Sequence, residues 1–341
     1  MTAVVPGTRQ RGGLARRVHQ RWWTWFRRAV QPGVAFRKRA FHAILHQISS
    51  AIYEQGLYLA TSAGGGIGGG GILSSADGLT WEIRSASAQP AFRALAWGNG
   101  TFVAIASNSV PTAQRAYTSP DGITWTAQDT PVGSELNWWT LKFANGLFVT
   151  TGWSGAGFRC MTSPDGFVWT LQATPGDYDW NALAYGNGIW VALDSRVGVH
   201  VDRVMTSSTG NAPWALSNCP DGLWRGLCFA NGQFVAVAKG GTNGKRAMTS
   251  PDGVNWTLQD TPTPSADLAW QSVDYGDGLF VACQKNAAPD THAVMTSPDG
   301  VNWTLLDMES SAGAQVVLWA QHQFFVFSFT ANEMFISSRE I

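Results

Sequence analysis

Charge is scarce in this chain. Only 13% of its 341 residues are Asp, Glu, Lys or Arg, about half the share of an ordinary soluble domain at roughly 25%. The four cysteines, Cys160, Cys219, Cys228 and Cys283, show no Cys-x-x-Cys spacing. A zinc or dithiol site is therefore not expected, and buried free thiols are, with Cys219 and Cys228 the one pair left open. No apolar run reaches the roughly 18 residues of a membrane span. The N-terminus has neither the apolar core nor the small-residue cleavage site of a signal peptide, so folding in a cytoplasm is expected. The stretch GGGIGGGG at Gly64–Gly71 lacks the Lys-Ser/Thr of a phosphate loop and reads as a flexible connection.

What is abundant is glycine, with 38 residues, and tryptophan, with 18. Both recur with a period. SSADGLTW ends at Trp81, SPDGITW at Trp125, SPDGFVW at Trp169, a degraded SSTGNAPW at Trp214, and SPDGVNW at both Trp256 and Trp303. The intervals are 44, 44, 45, 42 and 47 residues, the period of a repeat architecture. Between the copies lies a second element, ALAWGNGTFVAIA in its first form, that alternates apolar and polar residues around Asn-Gly or Asp-Gly. Such a pair is the strongest short-range hairpin signal.

Each period thus holds four strands, A to D, which predicts an all-β propeller of four-stranded antiparallel blades. Counting gives seven A, B and C strands but six D strands. A seven-bladed ring over residues 47–341 is expected, closed by a D strand from the N-terminal segment. WTWFRRAV at Trp23–Val30 begins like the other D strands and is the candidate.

Net charge is zero, yet ten of the 23 basic residues fall within the first 39 positions and the first acidic residue is Glu54. Residues 1–46 read as a basic aromatic arm, partly helical. Leu14, Val18, Trp22, Trp25, Phe26 and Val30 follow helical spacing up to the break at Gln31–Gly33, which competes with the strand reading of the same residues. The following VAFRKRAFHAILHQ reads as a second basic helix. Docking through Arg16, Arg17, Arg21, Trp22, Trp23, Trp25, Phe26, Arg27, Arg28, Arg37, Lys38 and Arg39 competes with plain coverage of the ring edge. Nucleic acid is not expected as a partner, because the acidic ring repels phosphate.

The S-P-D-G-x-x-W copies resemble the Asp-box, the S-x-D-x-G-x-T-W hairpin of sialidase-like propellers, in a compressed form. The resemblance implies that Asp77, Trp81, Asp121, Trp125, Asp165, Trp169, Trp214, Asp252, Trp256, Asp299 and Trp303 build the C–D turns on the face opposite any active site. Compressed repeats of this kind are similar to those of tail and fibre proteins of tailed bacteriophages, and the box also occurs in seven-bladed photosystem assembly factors. This implies a structural or adsorption protein of a virion, made in the bacterial cytoplasm, present in several copies. The arm would dock on other tail proteins and a propeller face would meet a host glycan or protein.

On the other face, Phe92, Trp138, Trp180, Trp224 and Trp270 take one equivalent position at the start of strand A. They either stack on sugar rings or wedge between blades. Arg93, Trp139, Asn181, Arg225 and Gln271 follow them and are expected to point to the channel or its mouth. Sialidase-like catalysis needs three arginines, a Tyr–Glu pair and an acid Asp. The ring's few arginines, Arg84, Arg93, Arg115, Arg159, Arg196, Arg203, Arg225 and Arg246, come without the family's early Arg-Ile-Pro. Glu135, Asp177, Asp179, Asp194, Asp202, Asp267 and Asp290 leave a generic glycoside hydrolase as the alternative, since two carboxylates suffice. A cellular assembly scaffold is a further alternative. No enzyme activity, cofactor or metal is expected.

Overall fold

The Asn-Gly pairs form the turns that their sequence dictates. Asn99, Asn145, Asn187 and Asn231 and the glycines after them have positive φ, as do Asp277 and Gly278. This is the geometry that matches the twist of a hairpin. The two divergent repeats make the same turn with Gln55–Gly56 and with Gln321–His322.

The computed structural model describes residues 34–339, except 41–46, 65–69, 85–89, 108–112, 132–136, 154–156, 197–202, 242–244, 263–267, 286–293, 307, 309–312 and 329–332. The described residues form 28 strands in seven four-stranded antiparallel sheets. Blades 1 to 6 occupy residues 48–83, 92–129, 142–172, 180–217, 222–259 and 270–306, with strands A to D in sheet order. Neighbouring A strands touch all the way round, the last (Ala314–Ala320) meeting the first (Ile48–Glu54). Seven apolar clusters fill the ring. Each lies between adjacent blades, as where Ala94 and Ala96 of blade 2 meet Trp138, Leu141 and Phe148 of blade 3. The core is therefore in the gaps, and no blade is buried without its neighbours.

The ring closes with an N-terminal strand, but not the one expected. Blade 7 takes its D strand from Val34–Ala40, which runs antiparallel to Glu333–Arg339 in register Val34↔Arg339 to Ala40↔Glu333. Trp23–Val30 lies outside the described residues. The helix expected after Gln31–Gly33 is a strand over Val34–Ala40. Phe36 packs against the blade 6–7 cluster, and Lys38 pairs with Glu333 at 2.5 Å. Long-range pairing overrides helical spacing here, because the partner strand would otherwise end the sheet as a bare edge. Arg37, Lys38 and Arg39 thus sit on the outer rim of the ring. Seven basic residues remain in residues 1–33, and the rest carries 16 basic against 23 acidic, or −7.

The SPDG corners repeat one hydrogen-bond pattern. In blade 6, Ser297 Oγ donates to Asp299 Oδ1 at 3.0 Å, which also accepts the amides of Val301 and Asn302 at 2.9 and 2.8 Å. Trp303 Nε1 then donates to Gly300 O at 2.9 Å. Blades 1, 2, 3 and 5 do the same with Asp77, Asp121, Asp165 and Asp252. In blade 4, Thr209 replaces the aspartate. Ser207 still accepts from Gly210 N, but Trp214 Nε1 is buried without a partner. The degraded copy keeps the turn and loses the last bond.

These bonds set an acid limit. The amides of Thr80 and Leu79 hold the Asp77 carboxyl below its ordinary value, and those of Thr124 and Ile123 do so for Asp121. The Asn255 amide and side chain lower Asp252, against burial. At Asp165 and Asp299 burial is the largest single influence and raises the value, but the bonds to Val168 and Asn302 and their neighbours outweigh it, bringing Asp299 to about 2. A carboxyl depressed by folding stabilises the fold above its unfolded value and loses that contribution as pH falls through the folded one. Glu54, Asp179 and Asp274 are raised, first by burial, and act in the opposite sense, favouring the fold at low pH. The raised groups act above their ordinary values, so below about pH 4 the five corners decide and the melting temperature should fall steadily between about pH 4 and pH 2. A flat profile across that window in a pH-resolved thermal melt contradicts the corner's role.

Candidate functional site

Strand C ends at the SPDG corner in six blades, so the D–A and B–C connections share the opposite face. This loop face holds the mouth of the central channel, a cavity of about 360 Å³ lined by the seven A strands.

Phe92, Trp138, Trp180, Trp224 and Trp270 are at most 1% exposed and wedge between blades. Burial of each contributes roughly 1.5 to 3 kcal/mol, and none presents a plane to a sugar. The residue after each is displaced by a β-bulge. The register skips between Phe92 and Ala94, Trp180 and Ala182, Trp224 and Gly226, and Trp270 and Ser272, and again in blades 1 and 7. In blade 3 the amides of Trp139 and Thr140 both donate to Thr151 O, at 2.8 and 3.2 Å. Bulges re-aim side chains. Here they place Ser49, Arg93, Trp139, Asn181, Arg225, Gln271 and Gln315 around the mouth, one from each blade.

The Arg93 guanidinium lies over the Trp139 ring, 4.4 Å from its centre, and Arg225 lies 5.7 Å from the same centre. Burial lowers the pKa of both arginines, and Asp179 partly restores Arg225. Lys285 is lowered first by burial and then by Lys239, Arg225 and Arg93. Five polar atoms at the mouth are buried without a partner: Arg93 Nε, Arg225 Nε, Gln271 Nε2, Asn181 Oδ1 and Gln315 Oε1.

Another group of arginines, missed as a set in the sequence, is spent on the scaffold. Arg115, Arg159, Arg203 and Arg246 hold one equivalent position at the start of strand C in four successive blades, legible as Arg-x-(Met/Tyr)-Thr-Ser. Arg203, 0% exposed, donates to Arg196 O and, at 3.1 Å, to Gly222 O of the next blade. Arg246 reaches Leu268 O at 2.8 Å and Arg159 reaches Tyr178 O at 2.8 Å in the same way. The guanidinium groups of Arg159, Arg203 and Arg246 thus tie blade to blade through backbone carbonyls, and Arg159 and Arg203 also pair with Asp179 and Asp221.

Asp179 and Asp194 are two loop-face carboxylates that lie close together. Burial raises Asp179, and the charge of Asp194 adds to the shift. Asp194 is 0% exposed, and its Oδ1 accepts the Asp179 amide at 2.7 Å and pairs with Arg196 at 3.4 Å. Asp177 meets Arg159. Glu135, Asp202, Asp267 and Asp290 lie outside the described residues, as do Arg16, Arg17, Arg21, Trp22, Trp23, Trp25, Phe26, Arg27 and Arg28. All four cysteines are free, Cys160 and Cys283 buried, Cys219 and Cys228 half-buried. Among the described residues no group of three or more His, Cys, Asp or Glu is placed to hold a metal ion, and no helix is long and apolar enough to cross a membrane.

The fold and this mouth define a seven-bladed β-propeller. No protein-family model matches the chain, and no curated protein matches it by sequence. Solved structures do. YCF48 bound to D1 peptide superimposes with a TM-score of 0.65 at 15% identity, covering 88% of this chain and 94% of that one. A catalytically inactive virginiamycin B lyase from Staphylococcus aureus with quinupristin gives 0.73 at 9% identity, over 90% and 99%. The computationally designed Ika8 protein gives 0.57 at 11%, over 87% and 98%. At these identities the likeness establishes the fold alone.

Proposed function

We propose that this chain is a non-enzymatic adsorption or structural component of a phage tail or tail fibre, fastened by residues 1–33 and making its outward contact through the loop face. The polarity of the closing strand carries this reading. Val34 pairs with Arg339, at the end of strand C where the other blades have their SPDG corners. The basic arm therefore joins the ring at the corner face, opposite the channel mouth. A tether on one face and a recessed polar mouth on the other suit a protein that links two bodies. The virion setting, with synthesis in the bacterial cytoplasm, rests on the compressed Asp-box resemblance of the repeats. YCF48, a propeller of the same fold, is described with a bound peptide, which supports contact as the use of this one.

Deleting residues 1–33 should leave the melting temperature unchanged and abolish incorporation into particles. Undiminished incorporation overturns the attachment reading, and an arm-dependent partner of cellular origin converts it to a cellular scaffold. The glycoside hydrolase reading keeps one supporting observation, the raised Asp179 carboxyl beside Asp194. Hydrolysis of any member of a glycan panel, lost in Asp179→Asn, would replace the non-enzymatic reading.

A further inference from the structure

We propose that the channel mouth is a carboxylate site for an extended peptide segment, with Arg93 and Arg225 as the anion-binding pair. This rests on the loop face being the contact face and names what it contacts.

Two guanidinium groups lie against the one Trp139 indole. Neither has a carboxylate within ion-pair distance among the described residues, and the Nε of each is buried without a partner. Lys285 adds a third cation whose charge these arginines oppose. Like charges gathered in a half-buried mouth disfavour the empty state, and in a ring of net −7 they are a local reversal of sign. An anion relieves both costs. Guanidinium forks favour planar two-oxygen acceptors, and a charge-assisted bond is about twice as strong as a neutral one.

The neighbouring groups refine the ligand. Gln271 Nε2 is an unused donor, and Asn181 Oδ1 and Gln315 Oε1 are unused acceptors. The ligand must therefore offer N–H or O–H donors and a carbonyl beside its carboxylate. A peptide does so along its backbone. An acidic sugar offers hydroxyls but also needs a flat apolar platform. The five wedge aromatics are buried and Trp139 is covered by Arg93, so that platform is missing.

The test uses the full chain and three probes: acetyl-triglycine with a free carboxylate, its C-terminal amide, and D-glucuronate. Calorimetry at low salt should show the acid binding at least about tenfold more tightly than the amide. Arg225→Gln should erase that preference. Arg225→Lys should weaken it, because the charge stays and the fork is lost. A second readout separates a ligand site from packing. Arg93→Met keeps the aliphatic contact with Trp139 and removes a charge that has no carboxylate partner and a buried Nε without an acceptor, so it should raise the melting temperature of the unliganded protein. Equal binding of acid and amide, no binding of either at about 10 mM, glucuronate binding with the acid silent, or a lower melting temperature in Arg93→Met each overturns the proposal. None of these outcomes touches arm-dependent incorporation, so the attachment reading stands or falls separately.

Discussion

Removing residues 1–40 should lower the melting temperature by about 8 °C, whereas removing residues 1–33 should leave it unchanged. The difference isolates Val34–Ala40. Without that strand, blade 7 ends at Glu333–Arg339, whose Met334 and Phe335 are buried in the whole ring. Seven paired residues, the Phe36 contact and the Lys38–Glu333 ion pair go together. The Phe36 side chain and the interior ladder bonds together are worth about 5 kcal/mol. The bare edge is also a template for another chain, so light scattering should show association of the shortened ring. Equal melts for the two truncations would mean that blade 7 does not need its fourth strand.

Gly276→Ala should cost about 3 kcal/mol, or roughly 5 °C. A Cβ on Gly276 would meet the Trp319 ring at 1.9 Å. Gly98 faces Phe143 and Gly186 faces Phe229 in the same way, with closest approaches of 2.2 and 2.0 Å. The rings cannot retreat, because each packs on an aromatic of its own blade, as Trp319 does on Phe324 at 4.5 Å. The alternate blades place Ala144, Ala230 and Ala320 at this position, and the next ring there is Tyr185, Tyr275 or Tyr53. Glycine beneath Phe or Trp and alanine beneath Tyr thus alternate for most of the circle. Thermal melts of Gly276→Ala beside Ala230→Gly check the asymmetry, with the second change costing only about 1 kcal/mol. Equal small losses would contradict the close packing.

The blade count and the turns were legible because their chemistry is local. Asn-Gly selects its own turn, and Ser-Pro-Asp-Gly closes on its own amides, so repetition alone reveals them. The closing strand was not legible. The D strands that follow Trp125 or Trp256 are short and half-exposed, leaving Trp-Thr as their mark, and Trp23–Val30 carries that mark while Val34–Ala40 does not. What selects Val34–Ala40 is a partner strand some 300 residues away in sequence. The basic run at Arg37–Arg39 looks like a helix face and is an edge strand whose charges discourage further pairing. At the mouth, alignment brought the aromatic and its successor to one place. It could not assign them opposite surroundings, because the bulge that separates them has no sequence mark. The scaffold arginines were legible in principle, four residues before the corner serine, but read singly they look like loop cations.

The most direct test of the account is the orientation of the ring in the assembled particle, seen by electron cryomicroscopy at a resolution that separates the two faces. The SPDG corners and Val34 should face the particle body, with the channel mouth and Arg225 turned outward. A ring seated with its mouth against the body and its corners exposed would contradict it.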